Sequence, residues 1–204
     1  MSVVTNGYCT KDELKAYIEI DHAVTDEAIT VAINAASRAI DYHCQRRFYK
    51  DTTATARTFQ TDRTDRALVD CFYSTGSLTI KTDSADNGTF DTTWSASEYE
   101  LRPTNGVRAG LEGWPYFEIA QASTRQFPCS GRRHRVQVTA LWGWNAVPPM
   151  VKEACLIWSS RLLKRADSPT GVLGGFADDV IRVSSRIDPD VEMLLAPYRK
   201  PVGG

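Results

Sequence analysis

The apolar positions in the first fifty residues recur with a helical period and predict two amphipathic helices. The stronger pattern places apolar residues at i, i+3, i+4, i+7 and i+11, and predicts a helix over about 26–45 that Thr25 caps. Its apolar positions are Ile29, Ala32, Ile33, Ala36 and Ile40. A capping box formed by Thr10 and Glu13 opens the weaker pattern, which predicts a helix over about 11–19.

Between residues 55 and 141 the apolar period changes to that of β-strands. Short β-branched or aromatic runs are divided by turn signals such as Asn87-Gly88 and Asn105-Gly106. The runs are RTFQ, ALVDCFY, SLTIKT, YELRP, YFEIAQ and RVQVTALWGW. The last run alternates from Arg135 to Trp142 in the way of a strand with one buried face. We therefore predict five to seven strands in a small sheet or barrel.

Two more helices are predicted beyond residue 142. Pro148-Pro149 favours a helix start, because the first N–H groups of a helix have no intrahelical partner. The expected core stripe of this third helix is Val151, Ala154, Cys155, Trp158 and Leu162. Asp188 as N-cap and Pro189 as first helical residue open the last helix. One face of that helix carries Val191, Leu194, Leu195 and Tyr198.

The elements together predict an α+β fold, in which a bundle of about four helices holds an inserted antiparallel β region. We expect an N-terminal helical part over 1–54 and the β region over 55–141. Residues 142–204 then supply the C-terminal helix, followed by a loop and tail. A glycine-rich loop at 166–179 and the run VIRVSSR, a candidate short strand, precede the last helix.

Composition and charge exclude several classes of function. The chain has 204 residues, of which 42% are hydrophobic and 24% charged, with a net charge of −1. Neither tight nucleic-acid binding nor binding to an anionic membrane is expected from so balanced a charge. No apolar run approaches the roughly 18 residues of a membrane span. Five cysteines without CxxC spacing indicate thiols in a reducing cytosol, and hence a soluble protein that is intracellular when made.

The pattern of potentially reactive residues predicts no catalytic, cofactor-binding or metal site. His43 and Cys44 are adjacent on a predicted helix, so their side chains point about 100° apart and do not converge on one ion. The glycine cluster GVLGG at 171–175 matches neither phosphate-loop motif and follows a helix. The basic cluster GRRHR at 131–135 could touch phosphates, but we interpret it as a solvated stretch that leads into a strand.

Stretches at both ends of the chain resemble one protein family. Residues 8–49 show the rhythm L..YI.I followed by D.AI..AI.AAS..ID..C.R.F, and resemble the start of tailed-bacteriophage head-to-tail connector proteins, also called adaptors or head-completion proteins. The stretches VTALWGWNAVPPMVKEACLIWSSRLLKRADSPTGVLGG and IDPDVEMLLAPYRK are similar to the same family in phages of actinobacteria. The β region resembles the family only by its position.

The resemblance implies a structural virion protein without catalytic activity or cofactor. Such a protein forms a ring under the portal vertex, with twelve subunits if it follows the portal's usual symmetry. One face of the ring docks on the portal protein, and the other receives a stopper or tail-terminator protein. DNA passes through the central channel without specific binding, and no membrane is involved. The expected location is the neck of the virion, after synthesis in the host cytoplasm.

We expect the segment after Ala166 to be the docking arm of this connector. The stretch SPTGVLGGF is suited to stay mobile in the free subunit and to order on assembly, where apolar burial offsets the lost entropy. The residues expected to bind a partner or neighbour are Leu173, Phe176, Val180, Ile181, Val183, Leu194, Leu195 and Tyr198. The alternative is that this loop packs on its own subunit.

Three other functions remain open at this point. A predominantly β-barrel architecture would favour a different neck protein, such as a stopper or tail-completion protein, whereas an N-terminal helical pair with an inserted sheet favours the connector. A small intracellular hydrolase would need a pocket that joins Cys71 or Cys129 to His134. A nucleic-acid-binding module would retain DNA in a salt-dependent way.

Overall fold

The computed structural model describes residues 3–18, 25–129, 134–167, 172–173, 181–182 and 187–200. Its helices are α1 Lys11–Ile18, α2 Asp26–Cys44, α3 Pro149–Asp167 and α4 Pro189–Leu195. Its strands are β1 Thr55–Phe59, β2 Arg66–Thr82, β3 Thr92–Thr93, β4 Tyr99–Arg102, β5 Tyr116–Gln121, β6 Val136–Trp142, β7 Val172–Leu173 and β8 Ile181–Arg182. The predicted α+β class is confirmed.

The chain divides into two compact units. Residues 1–48 and 147–204 form a helical unit, and residues 49–146 form a β unit. The helical unit is thus assembled from the two ends of the chain, while the β unit is continuous in sequence.

The helix starts follow the capping residues that the sequence predicts. Thr10 Oγ1 accepts the Glu13 N–H at 3.2 Å and Glu13 Oε2 accepts the Thr10 N–H at 2.9 Å, which is a complete capping box for α1. Thr25 caps α2 by accepting the Ala28 N–H at 3.3 Å. The predicted apolar face of α2 is buried throughout, and the element packs directly on α3. Local hydrogen bonding therefore fixes where these helices begin.

The core face of α3 is rotated from the predicted stripe. Val151, Ala154 and Cys155 are buried as predicted, but Trp158 and Leu162 are only half-buried. Their places in the interior are taken by Leu156, Ser159, Ser160 and Leu163. The prediction was wrong there because two hydroxyl side chains, which a hydrophobicity pattern reads as polar, lie in the interior of this helix.

The β unit is an antiparallel sheet with strand order β1–β6–β2–β5–β4, and β3 pairs beside β2. The alternation predicted for β6 is observed, with Val136, Val138, Ala140 and Trp142 buried and the residues between them half-buried. The core adds side chains from β2, β5 and the connecting loops: Ala67, Val69, Phe72, Ile80, Trp94, Ile119 and Phe127. Trp142 is anchored at its polar end by a 2.8 Å bond from Nε1 to the Thr55 carbonyl.

Strand β2 merges two runs that the sequence pattern separates. The stretches ALVDCFY and SLTIKT form one 17-residue strand instead of two short ones. The register between β2 and β6 shifts between Phe72 and Ser74 and again between Ser74 and Thr79. Residues 74–77 therefore form an irregularity within one strand, although small polar residues and glycine are typical of a turn. The first half of β2 pairs with β5 and the second half pairs with β6 and β3.

Arg135 corrects the interpretation of the basic cluster at 131–135. Residues 130–133 lie outside the described part of the chain, but Arg135 is 7% exposed instead of solvated. Its Nε donates to the Asp83 carbonyl and its Nη2 to the Ser84 carbonyl, both at 2.8 Å. The guanidinium thus satisfies carbonyls in the loop after β2, where a buried charge needs such partners.

Gly143 generates a stability prediction for the β unit. Its φ is +103°, and a Cβ at this position would lie 2.0 Å from the Tyr49 carbonyl oxygen. We expect Gly143→Ala to lower the free energy of unfolding by about 3 kcal/mol or more, because backbone must move to relieve both strain and overlap. Urea unfolding followed by tryptophan fluorescence measures this loss.

Gly110 provides the matched control, because its φ is also positive, at +78°, while a Cβ there would meet nothing within 4 Å. Gly110→Ala should cost only about 1 kcal/mol, the cost of the backbone conformation alone. Equal effects of the two substitutions would show that the close approach of residue 49 to residue 143 contributes nothing.

Candidate interaction surface

The C-terminal segment 187–200 is held on the helical unit by its polar start. Asp188 Oδ1 accepts the Asp190 N–H at 2.8 Å, and this caps α4. Asp188 Oδ2 pairs with Arg161 Nη2 of α3 at 2.7 Å, and the Asp188 side chain is 12% exposed. The same carboxylate therefore starts α4 and ties it to α3, so both cap and position depend on one residue.

The end of the segment is held by an aromatic row. Tyr198 packs edge-on against Phe48 with ring centroids 5.7 Å apart, and Phe48 packs in the same manner against Tyr8, also at 5.7 Å. The Lys200 N–H donates to the Cys44 carbonyl at 3.0 Å, at the end of α2. Three parts of the chain far apart in sequence thus meet in one buried row.

The Tyr8 hydroxyl joins this row to α2. It donates to Asp41 and accepts the Phe48 N–H at 2.8 Å. Burial, followed by the hydrogen bond to Asp41, raises the pKa of Tyr8, so the phenol stays protonated at neutral pH. The N-terminal segment is therefore fixed to the end of α2 by hydrogen bonds as well as by ring packing.

A groove lies beside the aromatic row, and we call it the α2–α4 groove because residues of α2 and residues just before and after α4 line it. Its lining residues are Ala39, Tyr42, His43, Gln45, Trp158, Ile187, Arg199 and Lys200. Tyr42 is 81% exposed at its rim, which is a large exposure for an aromatic side chain. Burial, with a smaller effect from Arg199, lowers the pKa of His43, and its Nε2 has no hydrogen-bond partner among the described residues. The groove thus combines apolar lining with a neutral imidazole at neutral pH.

The predicted partner-binding residues fall into three groups. Phe176, Val180 and Val183 lie outside the described residues. Leu173 and Ile181 are opposite each other in the β7–β8 pair. Of the remaining three, Leu194 is half-buried, while Leu195 and Tyr198 are buried within the helical unit. Their role in partner binding stays a prediction, and direct contact by the two buried side chains would require α4 to move.

Of the two thiol–histidine pairs proposed for hydrolysis, the structure separates Cys71 from His134. Cys71 lies on β2, and its carbonyl accepts the Gly143 N–H just after β6 ends, whereas His134 is exposed and precedes the start of β6. The length of β6 therefore separates them. Cys129 is exposed. Burial raises the pKa of the Cys44 thiol to about 12, which disfavours the thiolate that a nucleophile or metal ligand needs.

The described residues provide neither a metal-binding cluster nor a membrane-spanning helix. Within the described ranges, no set of three or more His, Cys, Asp or Glu side chains is placed to hold a metal ion. In the same part of the chain, no helix has the length and apolarity that crossing a membrane requires.

Sequence reasoning missed the residues that hold the C-terminal segment. Tyr8 and Phe48 carry no local pattern that distinguishes them from other aromatic residues, because their partners are distant in sequence. The available signal was the N-cap at Asp188, which predicts α4 but not its pairing with Arg161.

No protein-family model matches this chain, and no curated protein matches it. Solved structures share its fold. A chain in the neck of an empty gene transfer agent particle, computed with C6 symmetry, has a TM-score of 0.55 and 15% identity. The match covers 100% of this chain and 96% of that one.

Two further matches come from the native gene transfer agent particle. A chain of the virion has a TM-score of 0.52 and 16% identity, and a chain of the neck computed with C12 symmetry has 0.52 and 15%. Each match again covers 100% of this chain and 96% of the other. The fold common to these chains includes both the helical and the β unit.

Two substitutions at Asp188 separate its role as the N-cap of α4 from its ion pair with Arg161. Asp188→Asn keeps an oxygen that can cap α4 but loses the charge that pairs with Arg161, and should cost less than about 1 kcal/mol. Asp188→Ala loses both and should cost about 1–3 kcal/mol. Hydrogen exchange of the α4 amides measures the local loss. Protection equal to wild type in the alanine variant would contradict the anchoring role.

Proposed function

We propose that this chain is a structural neck protein of a tailed-phage-like particle, and specifically its head-to-tail adaptor. In this role it forms a ring below the portal, joins the capsid to the next neck or tail component, and lines the DNA channel. The observation that carries the proposal is the fold likeness to neck chains over 100% of this chain. The resemblance of both chain ends to connector proteins supports the same role.

Ring formation is supported by the symmetry of those particles. Their necks were computed with C6 and C12 symmetry, and a twelvefold ring satisfies both. A closed ring repeats one heterologous contact, so each subunit must present two different complementary surfaces. The α2–α4 groove, with its exposed Tyr42, is a suitable candidate for one of them. We propose twelve subunits and a neighbouring subunit as one partner.

The docking contact is assigned to the segment after α3. Leu173 and Ile181 pair across β7 and β8, and Phe176 and Val180 follow or precede them in the sequence. We propose that these side chains and Val183 contact the portal protein or a neighbouring subunit. Leu194, on α4, extends the apolar contact, while Leu195 and Tyr198 set the position of α4 from within the helical unit. The opposite face of the ring receives a stopper or tail-terminator protein.

A passive channel is consistent with the charge of the chain. Each neutralised phosphate adds salt-sensitive affinity for DNA, so a strongly basic lining would hold the DNA that must slide past. The net charge of −1 is compatible with passage without specific binding. The proposed role involves no reaction, cofactor or membrane, and places the protein at the head–tail junction of the virion.

Light scattering of the purified chain, alone and mixed with the portal protein of its particle, tests this role. We expect a chain that joins the portal as a ring, because one face of the ring is complementary to it. A chain that never joins the portal, but binds a preformed adaptor ring from the same particle, would instead be a stopper.

Substitutions in the docking segment test which residues make the contact. Leu173→Asp and Ile181→Asp should each weaken co-assembly with the portal at least tenfold, because a carboxylate would lose solvation in an apolar contact. Leu68→Asp is the control, since Leu68 is 53% exposed on β2 and lies outside the proposed contact. Circular dichroism verifies that all three variants fold. Unchanged co-assembly of both docking variants would refute the assignment.

A further inference from the structure

Two thiols meet in the interior of the helical unit. Cys9 lies just before α1 and Cys155 lies in the middle of α3, and their sulfur atoms are 3.5 Å apart. Cys9 is 4% exposed and Cys155 is fully buried. The two residues belong to opposite ends of the chain, so their meeting depends on the tertiary fold. All five cysteines are in the thiol form in this structure.

The surroundings of Cys155 are polar for a buried thiol. Its sulfur lies 3.6 Å from Ser37 Oγ and 3.8 Å from Ser159 Oγ. Ser37 donates its own proton to the Ile33 carbonyl at 2.7 Å and accepts the Tyr8 N–H at 3.1 Å. Its remaining lone pair is therefore available to the Cys155 S–H. The Cys155 thiol therefore has polar neighbours that a thiol packed only among apolar side chains would lack.

The two thiols differ in how readily they ionise. The hydrogen bond from Cys9 lowers the pKa of Cys155 to about 7 and outweighs burial, which acts in the opposite direction. The hydrogen bond to Cys155, together with burial, raises the pKa of Cys9. The Ser159 hydroxyl, 3.8 Å from the Cys155 sulfur, can donate to a thiolate there, so we assign Cys155 as the thiol that ionises and Cys9 as its neighbouring proton donor.

We propose that Cys9 and Cys155 are an oxidation site, at which a peroxide converts the two thiols into a disulfide that ties the N-terminal segment to α3. The sulfur atoms must approach from 3.5 Å to the roughly 2.05 Å of a disulfide bond. Cys9 directly precedes the first residue of the α1 capping box and lies outside a helix or strand, so α1 itself need not move for this approach.

The reaction balances with one peroxide molecule. The Cys155 thiolate attacks a peroxide oxygen, so that an S–O bond forms and the O–O bond breaks, and the departing hydroxide takes up the proton that Cys155 released, which gives water and the sulfenic acid. The Cys9 sulfur then attacks the Cys155 sulfur, so that the S–S bond forms and the S–O bond breaks. The departing hydroxide takes the Cys9 proton as water. Two thiols are oxidised, and hydrogen peroxide is reduced to two molecules of water.

Access of the oxidant requires local opening of the segment before α1, because Cys9 is buried. Residues 3–9 form no helix or strand, and their start is attached to α2 by the exposed hydrogen bonds Thr5 N–H to Asn34 and Arg38 to the Asn6 carbonyl. Opening at Cys9 must also break the buried bond from the Tyr8 N–H to Ser37, so oxidation proceeds through a rare local opening of this segment. Hydrogen peroxide is small enough to enter through such an opening, whereas a larger disulfide such as oxidised glutathione is not favoured.

The timing of this reaction rests on the proposed function. A virion protein is made in a reducing cytosol and released into oxidising surroundings, so the disulfide would form in finished particles. Closing a loop between residues 9 and 155 restricts the unfolded chain strongly. The bond would therefore stabilise the helical unit only after assembly, without hindering folding in the cell.

The test is peroxide treatment of the purified Cys129→Ser chain, a background that removes the exposed thiol and its intermolecular disulfides. After peroxide, two fewer thiols should react with N-ethylmaleimide when the chain is unfolded in guanidinium chloride, which exposes the buried cysteines. Non-reducing tryptic mapping should then join peptide 1–11, MSVVTNGYCTK, to peptide 153–161, EACLIWSSR. The melting temperature should rise by roughly 5–15 °C and fall again with dithiothreitol.

Cys44→Ser in the same background is the matched control, because Cys44 is also buried in the helical unit but does not contact Cys9 or Cys155. This variant should form the Cys9–Cys155 link as before. Cys9→Ser should abolish the link and stop oxidation at a sulfenic or higher acid on Cys155. Recovery of both peptides as unlinked thiols from the Cys129→Ser chain would overturn the proposal. This outcome is independent of any portal measurement, so it leaves the proposed function untouched.

Discussion

The packing of α2 on α3 is the constraint on which the helical unit depends, because it joins residues 1–48 to residues 147–200. The alanines Ala32 and Ala36 on α2, and Ala154 on α3, are small enough to let the two backbones approach closely. Ser37 of α2 meets Cys155 of α3 in this interface. The two ends of the chain therefore share one core.

The aromatic row extends this constraint to the C-terminal segment. Phe48 is fully buried between Tyr8 and Tyr198, so the position of α4 depends on the N-terminal segment as well as on α3. Asp188 then fixes the start of α4 through its bond to Arg161. The segment proposed to dock leaves α3 and returns at Ile187, beside the α2–α4 groove.

The sequence predicts the features that depend on neighbouring residues and misses those that depend on distant ones. Thr10, Thr25 and Asp188 act through N–H groups two or three residues away, so all four helices begin where they were expected or within a residue of it. The continuity of β2 was missed because Ser74–Gly76 looks like a turn and is held extended by other strands. Burial of Arg135 was missed because the carbonyls that satisfy it lie about fifty residues earlier.

The candidate site shows the same division. The last helix and its apolar face could be read from spacing, but whether Leu195 and Tyr198 face a partner or their own unit could not, since Phe48 decides it. The central claim, that this chain is a ring-forming neck protein, is tested most directly by electron cryomicroscopy of the neck of its own particle. The account predicts a twelvefold ring of this chain directly below the portal. A position elsewhere in the particle, or no ordered ring of this chain at all, would contradict it.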